Sequence, residues 1–276
     1  MGLLPEEIEA YYRLGFESRR LSSDVGELEK LRTQEILARH LPAPPAVIFD
    51  VGGGAGVHAF PLAEKGYQVH LIDPVQLHLE QARAREAKTG VQLASITPGE
   101  ARRLEAGDKA AEAVLLLGPL YHLVEPADRL AALGEARRIL KPGGILFAAA
   151  ISRFASLIGA VHSAFFADPA FRATIATALL SGRHRNPSPA NQPTYFTTAY
   201  FHRPEELERE IAEAGFESAD VLGIEGPVWS AARFSETWAD PVQREQLMDF
   251  LALIEEEPSL RGASAHLLAI ARQSHR

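Results

Sequence analysis

Hydrophobic and polar positions divide the first half of the chain into short apolar runs separated by longer segments of helical period. The runs predict strands near residues 46–51, 67–72, 91–96, 112–117 and 144–152, and the segments between them predict helices near 57–65, 75–88, 99–105 and 126–140. The strands lack regular polar alternation, which is typical of parallel strands covered by helices on both faces. This order of strands and helices predicts an α/β fold with a mostly parallel sheet.

Further elements are predicted on both sides of this core. They are helices near residues 5–21, 24–40, 203–214 and 241–256, and strands near residues 217–224 and 264–271. Asp24 is the candidate N-cap of the second helix, which Pro42 ends.

Residues 153–200 interrupt the alternation with an apolar helical pattern and then a proline-containing loop. We interpret this segment as a helical insertion that caps the active site, with an oligomer interface or a peripheral helix pair as the alternatives. The predicted organisation is therefore N-terminal helices over the ligand edge (1–42), a ligand-binding core (43–152), the cap (153–200) and the completion of the core sheet (201–276).

Composition narrows the class of protein. The chain has 276 residues, of which 46% are hydrophobic and 23% charged, as expected for a globular domain. Its net charge of −8 argues against a nucleic-acid partner, because there is no excess of cations to neutralise phosphates. It has no cysteine and no paired-histidine spacing, so we expect no disulfide and no catalytic metal. Without a leader-like start or an apolar run of membrane-spanning length, we expect a cytoplasmic protein with no membrane partner.

A glycine-rich turn after the first strand carries the candidate chemistry. Glycines stand at 52, 54 and 56, whereas a dinucleotide fingerprint needs the third glycine at 57, and no lysine follows for a phosphate loop. Asp73, at the end of the second strand, can accept hydrogen bonds from both hydroxyls of a ribose. Asp50 precedes the glycines and would repel a pyrophosphate. These features favour a ligand with a ribose, an adenine and a cationic or zwitterionic tail, which describes S-adenosylmethionine.

Four stretches resemble a known family: residues 49–56, 69–74, 113–123 and 139–146, the last containing Leu-Lys-Pro-Gly-Gly. In their order and spacing the chain resembles class I S-adenosylmethionine-dependent methyltransferases of the small-molecule type (the UbiE/UbiG-like, methyltransferase type 11 group). The resemblance implies a Rossmann-like, mostly parallel sheet of seven strands, the seventh antiparallel, with helices on both faces. One departure is Glu100, which stands where relatives often carry the aspartate of Gly-Asp-Ala.

Candidate site residues follow from the motifs and the predicted sheet edge. Cofactor-binding candidates are Tyr12, Arg20, Asp50, Gly52, Gly53, Gly54, Gly56, Asp73, Pro74, Glu100, Ala101, Leu117 and Gly118. Acceptor-binding candidates are Tyr11, Tyr195, Tyr200 and His202. His122 is a candidate base, and Tyr121 is a candidate to orient the acceptor or shield the sulfonium, because both follow the fourth strand. The alternatives are a histidine that caps or packs and a tyrosine of the core.

Methyl transfer from a sulfonium is an in-line displacement that needs proximity, alignment and a dry site. We therefore predict a methyltransferase that acts on the oxygen, nitrogen or carbon of a small molecule and releases S-adenosylhomocysteine. The alternatives are an NAD-dependent oxidoreductase and a non-catalytic S-adenosylmethionine-binding protein; macromolecular acceptors are disfavoured. We expect a monomer or a homodimer.

Overall fold

A computed structural model describes residues 4–15, 20–21, 23–189 and 191–274. Helix α1 spans Glu6–Arg13 and is shorter than the predicted helix 5–21, of which residues 16–19 lie outside the described part. Helix α2 spans Asp24–His40, and Ser23, not Asp24, is its N-cap: the Ser23 hydroxyl accepts from the amide of Gly26 at 3.2 Å.

Seven strands form the main sheet in the order β3-β2-β1-β4-β5-β9-β8. Their bounds are β1 Val47–Val51, β2 Gln68–Asp73, β3 Ser95–Pro98, β4 Ala111–Leu116, β5 Leu140–Ser152, β8 Ala219–Gly223 and β9 His266–Arg272. Strands β1 to β5 pair in parallel, and β9 runs antiparallel to both β5 and β8. The predicted mostly parallel sheet with an antiparallel last strand is thereby confirmed.

Two short strands that the sequence did not predict bring the described sheet to nine: β6 Arg183–His184 and β7 Ala199–His202. Strand β4 pairs with β5 only as far as Ala148. Beyond Ala148, the backbone groups of β5 on the side of β4 need another partner. Strand β7 pairs there in parallel, at Ile151 and Ser152, and β6 pairs with β7. The start of β7 is therefore brought above the carboxyl end of β4.

Helices cover both faces of the sheet. They are α3 Ala59–Glu64, α4 Gln76–Thr89, α5 Pro119–His122, α6 Pro126–Ile139, α7 Ala155–His162, α8 Pro169–Ser181, α9 Pro204–Glu213, α10 Phe234–Ala239, α11 Pro241–Ile254 and α12 Pro258–Arg261. Alternate residues of β4 belong to different cores: Val114 packs with the cluster under α6 and α9, and Leu115 packs with the cluster under α2 and α3. Within the described residues, no helix combines the length and the apolar character that crossing a membrane requires.

The predicted helix 99–105 is wrong: these residues form a turn with an isolated bridge between Glu100 and Arg103. Tertiary contacts replace the helical hydrogen bonds, since the amide of Leu104 donates to the Glu135 side chain at 2.8 Å. A helix of seven residues has little stability of its own, so such contacts decide the conformation. The third strand also begins later than predicted, at Ser95.

Candidate functional site

A cavity of about 390 Å³ lies at the carboxyl ends of β1, β2 and β4, where open α/β sheets bind their ligands. Its volume lies within the range of about 300–1,000 Å³ that is typical of small-molecule sites. The glycine-rich turn forms one wall, and α1 with the start of α2 covers it from the opposite side. The predicted site residues that line it are Tyr12, Arg20, Asp50, Gly52, Gly53, Gly54, Asp73, Pro74, Glu100, Ala101, Leu117, Gly118, Tyr121 and His122.

Neighbouring atoms leave no room for a side chain at Gly52 or Gly53 in the glycine turn. Gly52 has a φ of +71°, in the left-handed region, and a Cβ there would lie 2.7 Å from Cγ of Pro119. A Cβ at Gly53 would lie 2.5 Å from Oδ2 of Asp50. The turn therefore presents bare backbone to the cavity. Gly56 lies behind the turn, where a Cβ would meet the ring of Phe60 at 2.7 Å, and it does not line the cavity.

Asp73 is buried at the tip of β2, and its two carboxylate oxygens hold the local backbone in place. Oδ2 accepts from the amide of Gly54 at 2.9 Å, and Oδ1 accepts from the amide of Val75 at 2.8 Å and lies 3.0 Å from Nδ1 of His78. A carboxylate has about four acceptor positions, so capacity remains for a ligand hydroxyl. The glycine turn and the start of α4 are thus tied to the same carboxylate.

Asp50 is the least compensated group of the site. Its side chain is 1% exposed, and neither carboxylate oxygen has a hydrogen-bond partner among the described residues. Burial, and then the negative charge of Asp73, raise the pKa of Asp50 from 3.8 to about 7; the amide of Ala59 opposes this rise without making a hydrogen bond of normal geometry. A buried carboxylate without a partner is costly, so this position suits a cationic group of a bound ligand.

A second charged cluster extends from the cavity wall into the protein. Arg20 and Glu29 line the cavity and form an ion pair, with Nη2 and Oε1 at 3.2 Å. Behind them, Nδ1 of His266 lies 2.6 Å from Oε1 of Glu225. Burial disfavours the charged imidazole, but Glu29 and Glu225 outweigh it and raise the pKa of His266 to about 9. Glu29, Glu225 and His266 bring ligand-type atoms within 4.8 Å of one another; the protonated imidazole and the Arg20 guanidinium supply the positive charge that these carboxylates require.

Residues 48–144 match the family model described as a methyltransferase domain, inside the segment predicted as the ligand-binding core. Over these residues the chain is similar to the class I S-adenosylmethionine-dependent methyltransferases. The predicted resemblance is thereby confirmed, and S-adenosylmethionine is the cofactor of this family.

Named relatives share this domain at modest identity. A ubiquinone biosynthesis O-methyltransferase of Methylocella silvestris is 29% identical over 169 residues, which are 54% of this chain and 64% of the relative. A protein of the same name from Xylella fastidiosa is 26% identical over 196 residues, or 71% of this chain and 70% of the relative. The chain spans 45% and 51% of the length of two other curated relatives.

The likeness to a solved structure extends over nearly the whole chain. A methyltransferase from Thermotoga maritima, described as a possible histamine N-methyltransferase, matches with a TM-score of 0.59 and 19% identity, covering 96% of this chain and 99% of that one. At this identity the match shows a common fold, and the acceptor does not follow from it.

At the cavity the N-terminal helix and the loop after β4 meet at one hydrogen bond. The hydroxyl of Tyr12 lies 2.6 Å from Nε2 of His122, and the two rings are nearly perpendicular. Nδ1 of His122 lies 3.4 Å from the carbonyl of Thr198, just before β7. Thr198 also lines the cavity, and its hydroxyl is buried without a partner among the described residues.

The candidates from the cap lie elsewhere in the structure, and none of the three lines the cavity. Tyr195 is buried against Phe171, and its hydroxyl donates to Asp168 at 2.9 Å. Tyr200 lies under the guanidinium of Arg129, and His202 is fully buried with Nε2 3.2 Å from Glu210. Tyr11, the remaining acceptor candidate, packs edge-on against Tyr12 and Phe196 and likewise does not line the cavity.

Sequence reasoning did not single out several residues that the fold brings to the cavity, among them Glu29, His58, His78 and Thr198. His78 had a usable signal, because it follows Asp73 by five residues at the start of a predicted helix. His58 lies directly after the glycine turn; burial lowers its pKa to about 4, so it is neutral at physiological pH. Glu29 and Thr198 had no local signal, since they reach the cavity only through helix packing and strand pairing.

Proposed function

We propose that this chain transfers the methyl group of S-adenosylmethionine to a small-molecule acceptor. The observation that carries the proposal is the pair of buried carboxylates, Asp50 and Asp73, on either side of a bare glycine turn. Asp50 has no hydrogen-bond partner in the part of the chain that the structure describes and suits a cation, whereas Asp73 has acceptor capacity left for hydroxyls. This combination fits the ammonium and the ribose of one ligand and does not fit a pyrophosphate.

Each part of the cofactor has residues that would hold it. Asp73 would accept from the ribose hydroxyls, Asp50 would pair with the ammonium, and Arg20 has five donors, enough to hold both Glu29 and a carboxylate. Glu100 and Leu117 border the remaining space and would contact the adenine. When bound, the cofactor supplies a methyl group activated on a sulfonium.

The chain itself would supply alignment and a dry environment. Helix α1 covers the cavity with apolar side chains, including the buried Ile8, and the loop after β4 adds Leu123 and Val124. His122 lies at the edge where the acceptor would meet the methyl group. The space suits an acceptor with an apolar body and one nucleophilic atom. Relatives named as O-methyltransferases and a neighbour described as a possible N-methyltransferase are in keeping with this class of acceptor.

The test is calorimetric titration of the purified protein with S-adenosylhomocysteine, S-adenosylmethionine and NADH. We expect saturable binding of the first two, and Asp73→Ala to weaken it by about 1–3 kcal/mol, the loss of charged hydrogen bonds. Asp220→Ala, which removes an exposed aspartate on β8, is the matched control and should bind like the wild type. Binding of NADH without binding of S-adenosylhomocysteine would overturn the proposal, and unchanged affinity in Asp73→Ala would show that the ribose lies elsewhere.

A further inference from the structure

We propose that Tyr12 is a catalytic residue that relays a proton from an acceptor hydroxyl to His122. The inference rests on the proposed methyl transfer and extends it, because it assigns the proton path and requires an acceptor that has a proton to lose. Three observations carry it: the hydrogen bond between Tyr12 and His122, the tautomer that the hydrogen bonds of His122 favour, and the position of Tyr12 in the cavity wall.

The two described hydrogen bonds of His122 favour one tautomer. A carbonyl oxygen only accepts, so the contact of Nδ1 with the carbonyl of Thr198 at 3.4 Å is a hydrogen bond when Nδ1 carries the proton. In that neutral tautomer Nε2 is an acceptor. The relay uses this tautomer, in which the hydroxyl of Tyr12, at 2.6 Å, donates to Nε2. The basic nitrogen of His122 faces the tyrosine.

Tyr12 is positioned to contact a bound acceptor. Its ring packs edge-on between two histidines, with centroids 5.3 Å from His78 and 5.4 Å from His122. His78 is bound to Asp73, so the same tyrosine contacts both the ribose side and the acceptor side of the cavity. Ile8, one turn earlier on α1, is buried and anchors the helix over the site. Tyr12 was predicted to contact the cofactor, whereas its shortest described hydrogen bond is to His122, the candidate base.

In the proposed step the acceptor oxygen forms a bond to the methyl carbon as the bond from that carbon to sulfur breaks, and the sulfur keeps the electron pair. The acceptor proton moves to the oxygen of Tyr12, and the proton of Tyr12 moves to Nε2 of His122. The products are the methyl ether, S-adenosylhomocysteine and a protonated His122, which afterwards returns its proton to solvent.

The chemistry of the relay selects an aryl hydroxyl as acceptor. A phenol has a pKa near the value of about 10 for tyrosine, so its proton passes to Tyr12 without a large mismatch, which an alkyl alcohol would create. The ring of Tyr121 and the side chain of Leu123 offer an apolar wall for an aromatic body. The hydroxyl of Thr198, a residue of the cavity wall, has no hydrogen-bond partner among the described residues and would bind a second oxygen on the same ring. A catechol meets all of these requirements.

The experiment compares two catechols of different acidity. 4-Methylcatechol is protonated at pH 7.5 and needs the relay, whereas 4-nitrocatechol is already largely ionised and does not. S-adenosylhomocysteine release is measured for the wild type, Tyr12→Phe, His122→Gln and the double variant. We expect each single variant to lose about 100-fold or more in kcat on 4-methylcatechol, a loss at least tenfold smaller on 4-nitrocatechol, and no further loss in the double variant. Tyr67→Phe is the matched control: it removes a tyrosine hydroxyl bonded to the carbonyl of Pro42, outside this cavity, and should lower neither rate.

A spectroscopic measurement tests the relay without turnover. In the cofactor-free protein labelled with ¹⁵N-histidine, we expect His122 to show the Nδ1–H tautomer, and Tyr12→Phe to shift its Nε2 resonance and its titration. A His122 in the other tautomer, or one that does not respond to Tyr12→Phe, would overturn the relay.

The possible failures are distinguishable. If the wild type does not bind S-adenosylhomocysteine, the proposed function fails and the relay fails with it. If the wild type methylates both catechols but Tyr12→Phe and His122→Gln lower kcat equally on the two, the relay is wrong and the proposed methyltransferase activity is retained. If it binds the cofactor and methylates neither catechol, the aryl-hydroxyl assignment is overturned.

Discussion

Asp50→Asn offers a direct test of how the cofactor site is built. In the cofactor-free protein a carboxylate is buried with no hydrogen-bond partner among the described residues, close to the carboxylate of Asp73. This arrangement should destabilise the fold whenever Asp50 is ionised. The amide of asparagine has nearly the same shape and no charge. The substitution should therefore stabilise the empty protein and at the same time weaken binding of S-adenosylmethionine.

The magnitude follows from the proton affinity of Asp50. A rise in pKa from 3.8 to about 7 corresponds to about 4 kcal/mol, at about 1.4 kcal/mol for each tenfold change. Because the folded state holds this proton more tightly than the unfolded state, wild-type stability falls as pH rises from about 4 to about 7, and the full loss is present above that. Between about pH 5 and pH 8, the wild type should lose about 2–3 kcal/mol that Asp50→Asn does not lose. For a chain of this size that difference is about 3–5 °C in Tm.

Urea unfolding of the cofactor-free proteins across this pH range measures the effect. The free energy of unfolding of Asp50→Asn minus that of the wild type should increase with pH and level off above about pH 7. If the new amide of Asp50→Asn is only partly hydrogen-bonded, the difference in the free energy of unfolding is lowered by about 1–3 kcal/mol at every pH. Its dependence on pH does not change, so that dependence is the test. Asp220→Asn, at an exposed position on β8, should give a flat difference. A flat difference for Asp50→Asn as well would refute the idea that Asp50 is an uncompensated buried carboxyl.

Two further predictions concern charges away from the cofactor turn. Arg129→Gln should cost about 3–5 kcal/mol in urea unfolding, because it leaves Glu210 buried without its guanidinium; Arg233→Gln, which breaks an exposed pair, should stay within about 0.5 kcal/mol, and equal losses would contradict the reasoning. His266 has its pKa raised from 6.5 to about 9, so its stabilising contribution is complete below about pH 6.5 and lost as pH rises through about 9. His266→Gln should therefore remove that fall from the stability curve, and parallel curves for variant and wild type would show that its charge does not pair with Glu225.

Local signals in the sequence determined the core of the fold and the cofactor turn. A strand, a glycine turn and a helix are neighbours in the chain, so their geometry follows from backbone preferences over a few residues. The same holds for Asp73, which hydrogen-bonds to Gly54 and Val75 through contacts set by the β1–β2 pairing. Buried parallel strands have a strong hydrophobic pattern, which is why a mostly parallel sheet could be predicted.

Other features depended on contacts between distant parts of the chain. Residues 99–105 had a helical pattern, yet contacts to α6 hold them as a turn. The strands β6 and β7 exist because β5 extends beyond β4, which no property of residues 183–202 reveals. Tyr195 looked like an acceptor contact because it is polar in an apolar segment, and it is instead buried against α8 with a partner of its own.

The acceptor side of the site was decided by tertiary structure alone. Tyr12 and His122 are 110 positions apart, and Glu29, Glu225 and His266 come from three separate regions of the chain. Side chains so far apart in the sequence meet only when helix packing and strand register bring them within hydrogen-bond range. The hydrophobic periodicity of the sequence carries no information about such long-range contacts. The sequence by itself thus determined the glycine turn and Asp73, where the cofactor would bind. The packing of α1 and β7 on the sheet decided which side chains line the acceptor side of the cavity.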